Sequence, residues 1–147
     1  MKNHIFLLFL FLSGISMAQT TKEASTSTLP KGEVAKSKQS VTLDGKVIPL
    51  SAEAGTLQLK DENNKPIALY GYTAYFKDNP EKNRPIVFAY NGGPGSSSYW
   101  LHMGVMGPKR IVVDDPNYNA AAPYELTNNE FSILDVADVV MMDPVGT

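Results

Sequence analysis

Cysteine is absent from the 147 residues, which excludes disulfides, thiolate catalysis and every cysteine-based metal site together. Histidine is nearly absent: His4 and His102 are the only two. His4 falls in an apolar leader, so a multi-histidine metal centre is excluded as well. No run of lysine and arginine occurs, and 13 basic side chains stand against 15 acidic ones. Nucleic-acid binding, which neutralises phosphates with clustered cations, is not expected on that balance. No apolar run approaches the roughly 20 residues that span a bilayer. What is left is a domain whose chemistry rests on hydroxyls, carboxylates, backbone groups or bound partners, with neither metal nor cofactor expected.

The leader has its own grammar. Lys2 supplies a short positive start, residues 5–12 are wholly apolar, and Ser16 and Ala18 stand three and one residues before a cut between Ala18 and Gln19. Small residues at those two places are what signal peptidase requires, so residues 1–18 read as a cleaved secretory signal rather than a membrane anchor. No cysteine follows to carry a lipid. The protein is therefore expected to be secreted or periplasmic. Beyond the cut, residues 19–40 are rich in Thr, Ser, Lys and Glu without apolar periodicity, the composition of a flexible polar tether.

From residue 41 the pattern becomes structured, over a length that suits one domain or part of one. Residues 41–43 and 47–50 flank the turn Asp44-Gly45 and predict a hairpin. Residues 56–60 and 67–76, about a polar turn at 61–66, predict a second. In the last of these strands Ala68, Tyr70, Tyr72, Ala74 and Phe76 share a face, expected to be the buried one. Residues 86–90 form a short, continuous apolar run, as in a strand covered on both faces of a parallel sheet. Ser96, Ser97 and Ser98 follow as candidate caps for a helix over 99–106, which Gly107 and Pro108 end. Residues 111–113 predict a strand, Ser132 a cap for a helix over 133–137, and residues 139–142 a second all-apolar strand. Antiparallel hairpins leading into strand, helix and strand give an α/β fold class with a mostly parallel sheet.

The informative segment joins the strand at 86–90 to the helix at 99. A strand running into Gly92-Gly93-Pro94-Gly95 and then a serine-capped helix gathers backbone N–H groups at one point. Glycines without Cβ let a ligand approach the main chain, which suits a carboxylate or a developing oxyanion. A bare strand-to-helix turn has the same composition. A phosphate loop is excluded because no Lys-Ser/Thr pair follows, and a dinucleotide loop because Ser98 stands where its third glycine belongs.

Arg84-Pro85-Ile86-Val87-Phe88-Ala89-Tyr90-Asn91-Gly92-Gly93-Pro94-Gly95-Ser96-Ser97-Ser98 resembles the oxyanion segment of the serine carboxypeptidases, peptidase family S10. The likeness continues through residues 100–108 and 129–135 to Asp143-Pro144-Val145-Gly146-Thr147. It implies the N-terminal part of an α/β-hydrolase fold over residues 41–147, incomplete here, and a serine-type carboxypeptidase acting on peptides with a free C-terminus. By the same resemblance the Gly93 N–H is one oxyanion-hole donor, while Asn91 and the Gly92 N–H hold the terminal carboxylate of the substrate. The family's nucleophile, in a G-x-S-x-G elbow, and its Asp and His would lie beyond Thr147, in a missing C-terminal part of the same domain. The chain alone is then expected to be inactive.

Two positions depart from the family. Val105 stands where many members carry a carboxylate-recognising Glu, and Ser96 where eukaryotic members often carry a disulfide cysteine. A local triad of Ser97 or Ser98 with His102 is conceivable at this spacing, but a capping serine and a partly exposed histidine account for it. Asp115, Asn117 and Asn119 imitate the start of a calcium loop, yet Ala120 and Leu126 replace its Gly and Glu. Two rivals stay open: another hydrolase or acyltransferase on the same scaffold, and a short binding module without catalysis.

Overall fold

Asp44 and Gly45 turn the chain with φ of 48° and 73°, the left-handed pair that a two-residue hairpin needs to match the twist of its strands. The computed structural model describes residues 29–93, 95–113, 122–123 and 125–147. The turn joins β1 (Val34–Leu43) to β2 (Lys46–Lys60), and β2 pairs in turn with β3 (Pro66–Lys77). The two expected hairpins thus share one strand of 15 residues, unbroken at residues 51–55. β1 starts at Val34, inside the segment read as a tether; the leader itself lies outside the described residues.

β3 continues the sheet against β7 (Asp138–Asp143), antiparallel, with Tyr75 opposite Val139. β7 then pairs in parallel with β4 (Ile86–Tyr90), Phe88 opposite Val140. The order is β1-β2-β3-β7-β4, and a separate two-stranded sheet is formed by β5 (Lys109–Ile111) and β6 (Leu126–Asn128). The amide of Asn128 imitates a strand: its Oδ1 accepts from the Thr42 N–H at 2.8 Å and its Nδ2 donates to the Thr42 carbonyl at 2.7 Å. That reciprocal pair ties the small sheet to the edge of β1.

The α/β class expected from the sequence is not what forms. Among the described residues strand predominates over helix, the five-stranded sheet is mixed, and only one of its four pairings is parallel. Helix among the described residues is confined to α1 (Tyr99–Leu101) and a π-turn at His102–Met106. The helix expected over residues 133–137 is a single turn closed by the Val136 and Ala137 N–H groups on the Ile133 carbonyl. The described part of the crossover from β4 to β7 is thus built from turns and a small sheet rather than a packed helix.

Alternation and register put Val41, Leu43, Leu50, Ala52, Tyr75, Ala89, Val139 and Met141 on one face of the sheet, with Leu134 buried against them. Leu101, Met106 and Ile133 pack on this cluster. Tyr75 enters it from the face of β3 opposite to the one expected; of the expected set only Ala74 is fully buried. β4 also departs from expectation. Ala89 is buried, but Ile86, Phe88 and Tyr90 are 49 %, 60 % and 66 % exposed on the other face. An all-apolar run reads as doubly covered, whereas here β4 is an edge strand covered on one side.

Candidate functional site

Behind β4 the chain leaves the sheet through Asn91, Gly92 and Gly93; Pro94 lies outside the described residues. Gly93 and Gly95 have φ of 91° and 71°, values that side-chain-bearing residues rarely adopt. The loop closes on itself from within. Asn91 Nδ2 donates to Ser96 Oγ at 2.7 Å and, at 3.4 Å, to the Ser97 carbonyl. The Ser96 N–H reaches the Gly93 carbonyl at 3.3 Å.

Its base is anchored to β7. Asp143 Oδ1 accepts from the Ser98 N–H at 2.6 Å and from Ser98 Oγ at 2.8 Å. Ser98 therefore begins α1 without capping it through its own side chain. A carboxylate accepting a backbone N–H at the start of the turn serves instead. Above this anchor Gly92 and Gly93 are exposed, and a Cβ built on Gly92 would meet nothing within 4 Å. Among the described residues no acceptor meets the Gly92 or Gly93 N–H. The arrangement presents main-chain donors to solvent from a loop fixed at both ends, which is the geometry for holding a small anion.

Asn91, Gly92 and Gly93 are thus contiguous in space as in sequence. The Asn91 amide spends its hydrogens inside the loop, so to touch a ligand it must exchange the Ser96 hydroxyl for it. Ser97 accepts from the Tyr99 N–H at 3.3 Å. Asp115, Asn117 and Asn119 lie outside the described residues. Among those described, no cluster of three His, Asp or Glu is placed to hold a metal, and no helix is long and apolar enough to cross a membrane.

The local triad does not assemble. Ser98 is buried and bonded to Asp143, while His102 Nε2 meets the Tyr75 hydroxyl at 2.7 Å. Serine and histidine have different partners, so the imidazole does not reach the Ser98 hydroxyl, whose proton goes to the Asp143 carboxylate. Burial pushes the His102 imidazole below its ordinary value of 6.5, opposed by the nearby Asp143 charge. The folded state therefore disfavours the imidazolium, and the unfolded chain takes up the proton first. Stability should be level above about pH 6.5 and fall below it, until the folded pKa is passed. Urea denaturation of the parent and His102→Gln at pH 7 and pH 5 checks this: the parent loses stability over that interval and the variant loses much less. Asp78 and Glu81, whose partners Ser51 and Lys77 hold them below the usual carboxylate values, act only at lower pH.

Two side chains whose ties sequence reasoning missed, Asn129 and Ser132, hold this region around the expected stop at Gly107. The Gly107 N–H closes the π-turn on the His102 carbonyl at 3.0 Å. A Cβ at Gly107 would stand 2.3 Å from that oxygen, so no other residue fits. Asn129, 1 % exposed, donates at 2.8 Å to both the Val105 and Gly107 carbonyls. Ser132, expected to cap a helix of its own, donates instead to the Met106 carbonyl at 2.8 Å. Together they satisfy carbonyls that the end of a helical turn leaves open. Neither the Asn129 nor the Ser132 tie has a local sequence signal, because the carbonyls they meet lie more than 20 residues away.

Comparison with family models, with curated proteins and with solved structures gives no match for this chain.

Proposed function

We propose that the chain is the N-terminal portion of an exported, serine carboxypeptidase-like peptidase that releases C-terminal residues from peptides. In this reading the loop from Asn91 to Ser98 receives the substrate's terminal carboxylate and the reaction's oxyanion, and the nucleophile, base and orienting carboxylate come from chain beyond Thr147. The observation that carries it is the exposed Gly92-Gly93 main chain on a loop anchored through Ser98 to Asp143. Support also comes from the motif itself, with Asp143-Pro144-Val145-Gly146-Thr147 closing the site. The Gly93 N–H stabilises negative charge that develops only in the transition state, whereas Gly92 and Asn91 bind charge already present in the substrate.

The 147-residue chain, purified alone, should release no C-terminal residue from N-blocked dipeptides and should not react with a fluorophosphonate. Labelling of Ser98 that disappears in His102→Ala would contradict the proposal, because catalysis would then reside in the chain itself.

A further inference from the structure

No side chain of the turn that follows the loop is fully buried. Tyr99, Trp100, Met103 and Gly104 instead line a half-open pocket of about 540 Å³, together with Arg110, Ile111 and Val113. That volume falls within the roughly 300–1,000 Å³ of small-molecule sites. The Tyr99 and Trp100 rings lie with centroids 4.5 Å apart, tilted 35° to each other, and a Cβ at Gly104 would meet no atom within 4 Å.

Arg110 is the only charged residue among these seven. Its guanidinium stands 5.6 Å from the centroid of Phe131, and the side chain as a whole is 28 % exposed. Nη2 reaches Glu130 Oε1 at only 3.3 Å, and Glu130 is itself half exposed, so the pair is a loose one. Among the described residues Arg110 Nε has no partner. An apolar cleft with one incompletely neutralised cation favours an apolar ligand carrying one negative charge. A dianionic phosphate would want more than one cation, whereas a planar carboxylate matches a single guanidinium.

We propose that this pocket binds a small organic carboxylate with an aromatic or branched aliphatic body, its charge on Arg110 and its body against Trp100, Met103 and Ile111. Gly92 and Gly93 take no part, so the pocket stands or falls apart from the proposed peptidase activity.

Trp100 is the only tryptophan of the chain and reports occupancy directly. Titration with 3-phenylpropionate should change its emission saturably, and 3-phenylpropanamide should bind about tenfold or more weakly, the factor expected for one charge-assisted hydrogen bond. Arg110→Gln should abolish that preference. Glu130→Gln, which removes a competing carboxylate from an exposed position, should tighten the acid. Equal binding of acid and amide, no saturable response, or a preference that survives Arg110→Gln in a protein of unchanged circular dichroism would overturn the proposal. So would shifts of the Gly92 and Gly93 amide resonances without a response at Trp100, since the carboxylate would then be on the loop.

Discussion

Arg84→Ala should cost about 3–5 kcal/mol of folding stability, the range for stripping one partner from a buried ion pair. Only 4 % of the Arg84 side chain is exposed. Nε donates to Asp138 Oδ1 at 2.9 Å, and Nη1 and Nη2 each donate at 2.7 Å to the Asp135 and Leu134 carbonyls. Asp138 Oδ1 also accepts the Lys77 N–H at 2.9 Å. One guanidinium thus joins the entry to β4, the end of β3 and the start of β7. Removing it strands the buried Asp138 carboxylate without its cation and the carbonyl of buried Leu134 without its donor. Arg84→Lys should recover little, because an ammonium cannot meet three acceptors in that fixed fan. The double variant Arg84→Met/Asp138→Leu should lose less than Arg84→Ala, since it leaves no buried charge behind. Urea midpoints at constant slope measure all three; a loss below about 1 kcal/mol for Arg84→Ala would reduce the clamp to a surface pair.

Association through β4 is the second large effect. One side of β4 pairs with β7; on the other it is the last strand of the sheet. Its exposed face carries Ile86, Phe88 and Tyr90 and no charge. Natural edges are guarded by lysine, proline or a bulge within the strand, and β4 has none of these. The chain should therefore self-associate as its concentration rises. Phe88→Lys should raise the association midpoint about tenfold or more, since burying a large apolar side chain is worth about 1.5–3 kcal/mol. Sedimentation velocity over a concentration series decides it. A monomer at every concentration for both proteins would mean that this edge is protected.

Legibility in the sequence followed the range of the forces. Local signals held where local forces decide: Asp44-Gly45 turns a hairpin, and the glycines after Tyr90 turn the chain out of the sheet. The apolar runs at 86–90 and 139–142 are strands, as their composition suggests, and they pair with each other in parallel. Burial was misread wherever coverage decides. The all-apolar β4 cannot announce that one of its faces is open, and the aromatic alternation of β3 favoured the face that Tyr75 does not use. The α/β class failed for a related reason: a serine before an apolar stretch predicts a helix, yet Ser98 bonds Asp143 and Ser132 bonds the Met106 carbonyl. The long-range ties of Arg84, Asn128 and Asn129 carry much of the polar organisation and have no period to betray them.

The central claim is that Gly92 and Gly93 present their N–H groups to a carboxylate. Amide proton–nitrogen correlation spectra of the 147-residue chain, titrated with an N-acetyl dipeptide as free acid and as C-terminal amide, test it most directly. The account predicts saturable downfield movement of the Gly92 and Gly93 resonances with the free acid, little movement with the amide, and weaker binding of the acid in Asn91→Ala. Resonances that stay still with both ligands, or move equally with both, would contradict it.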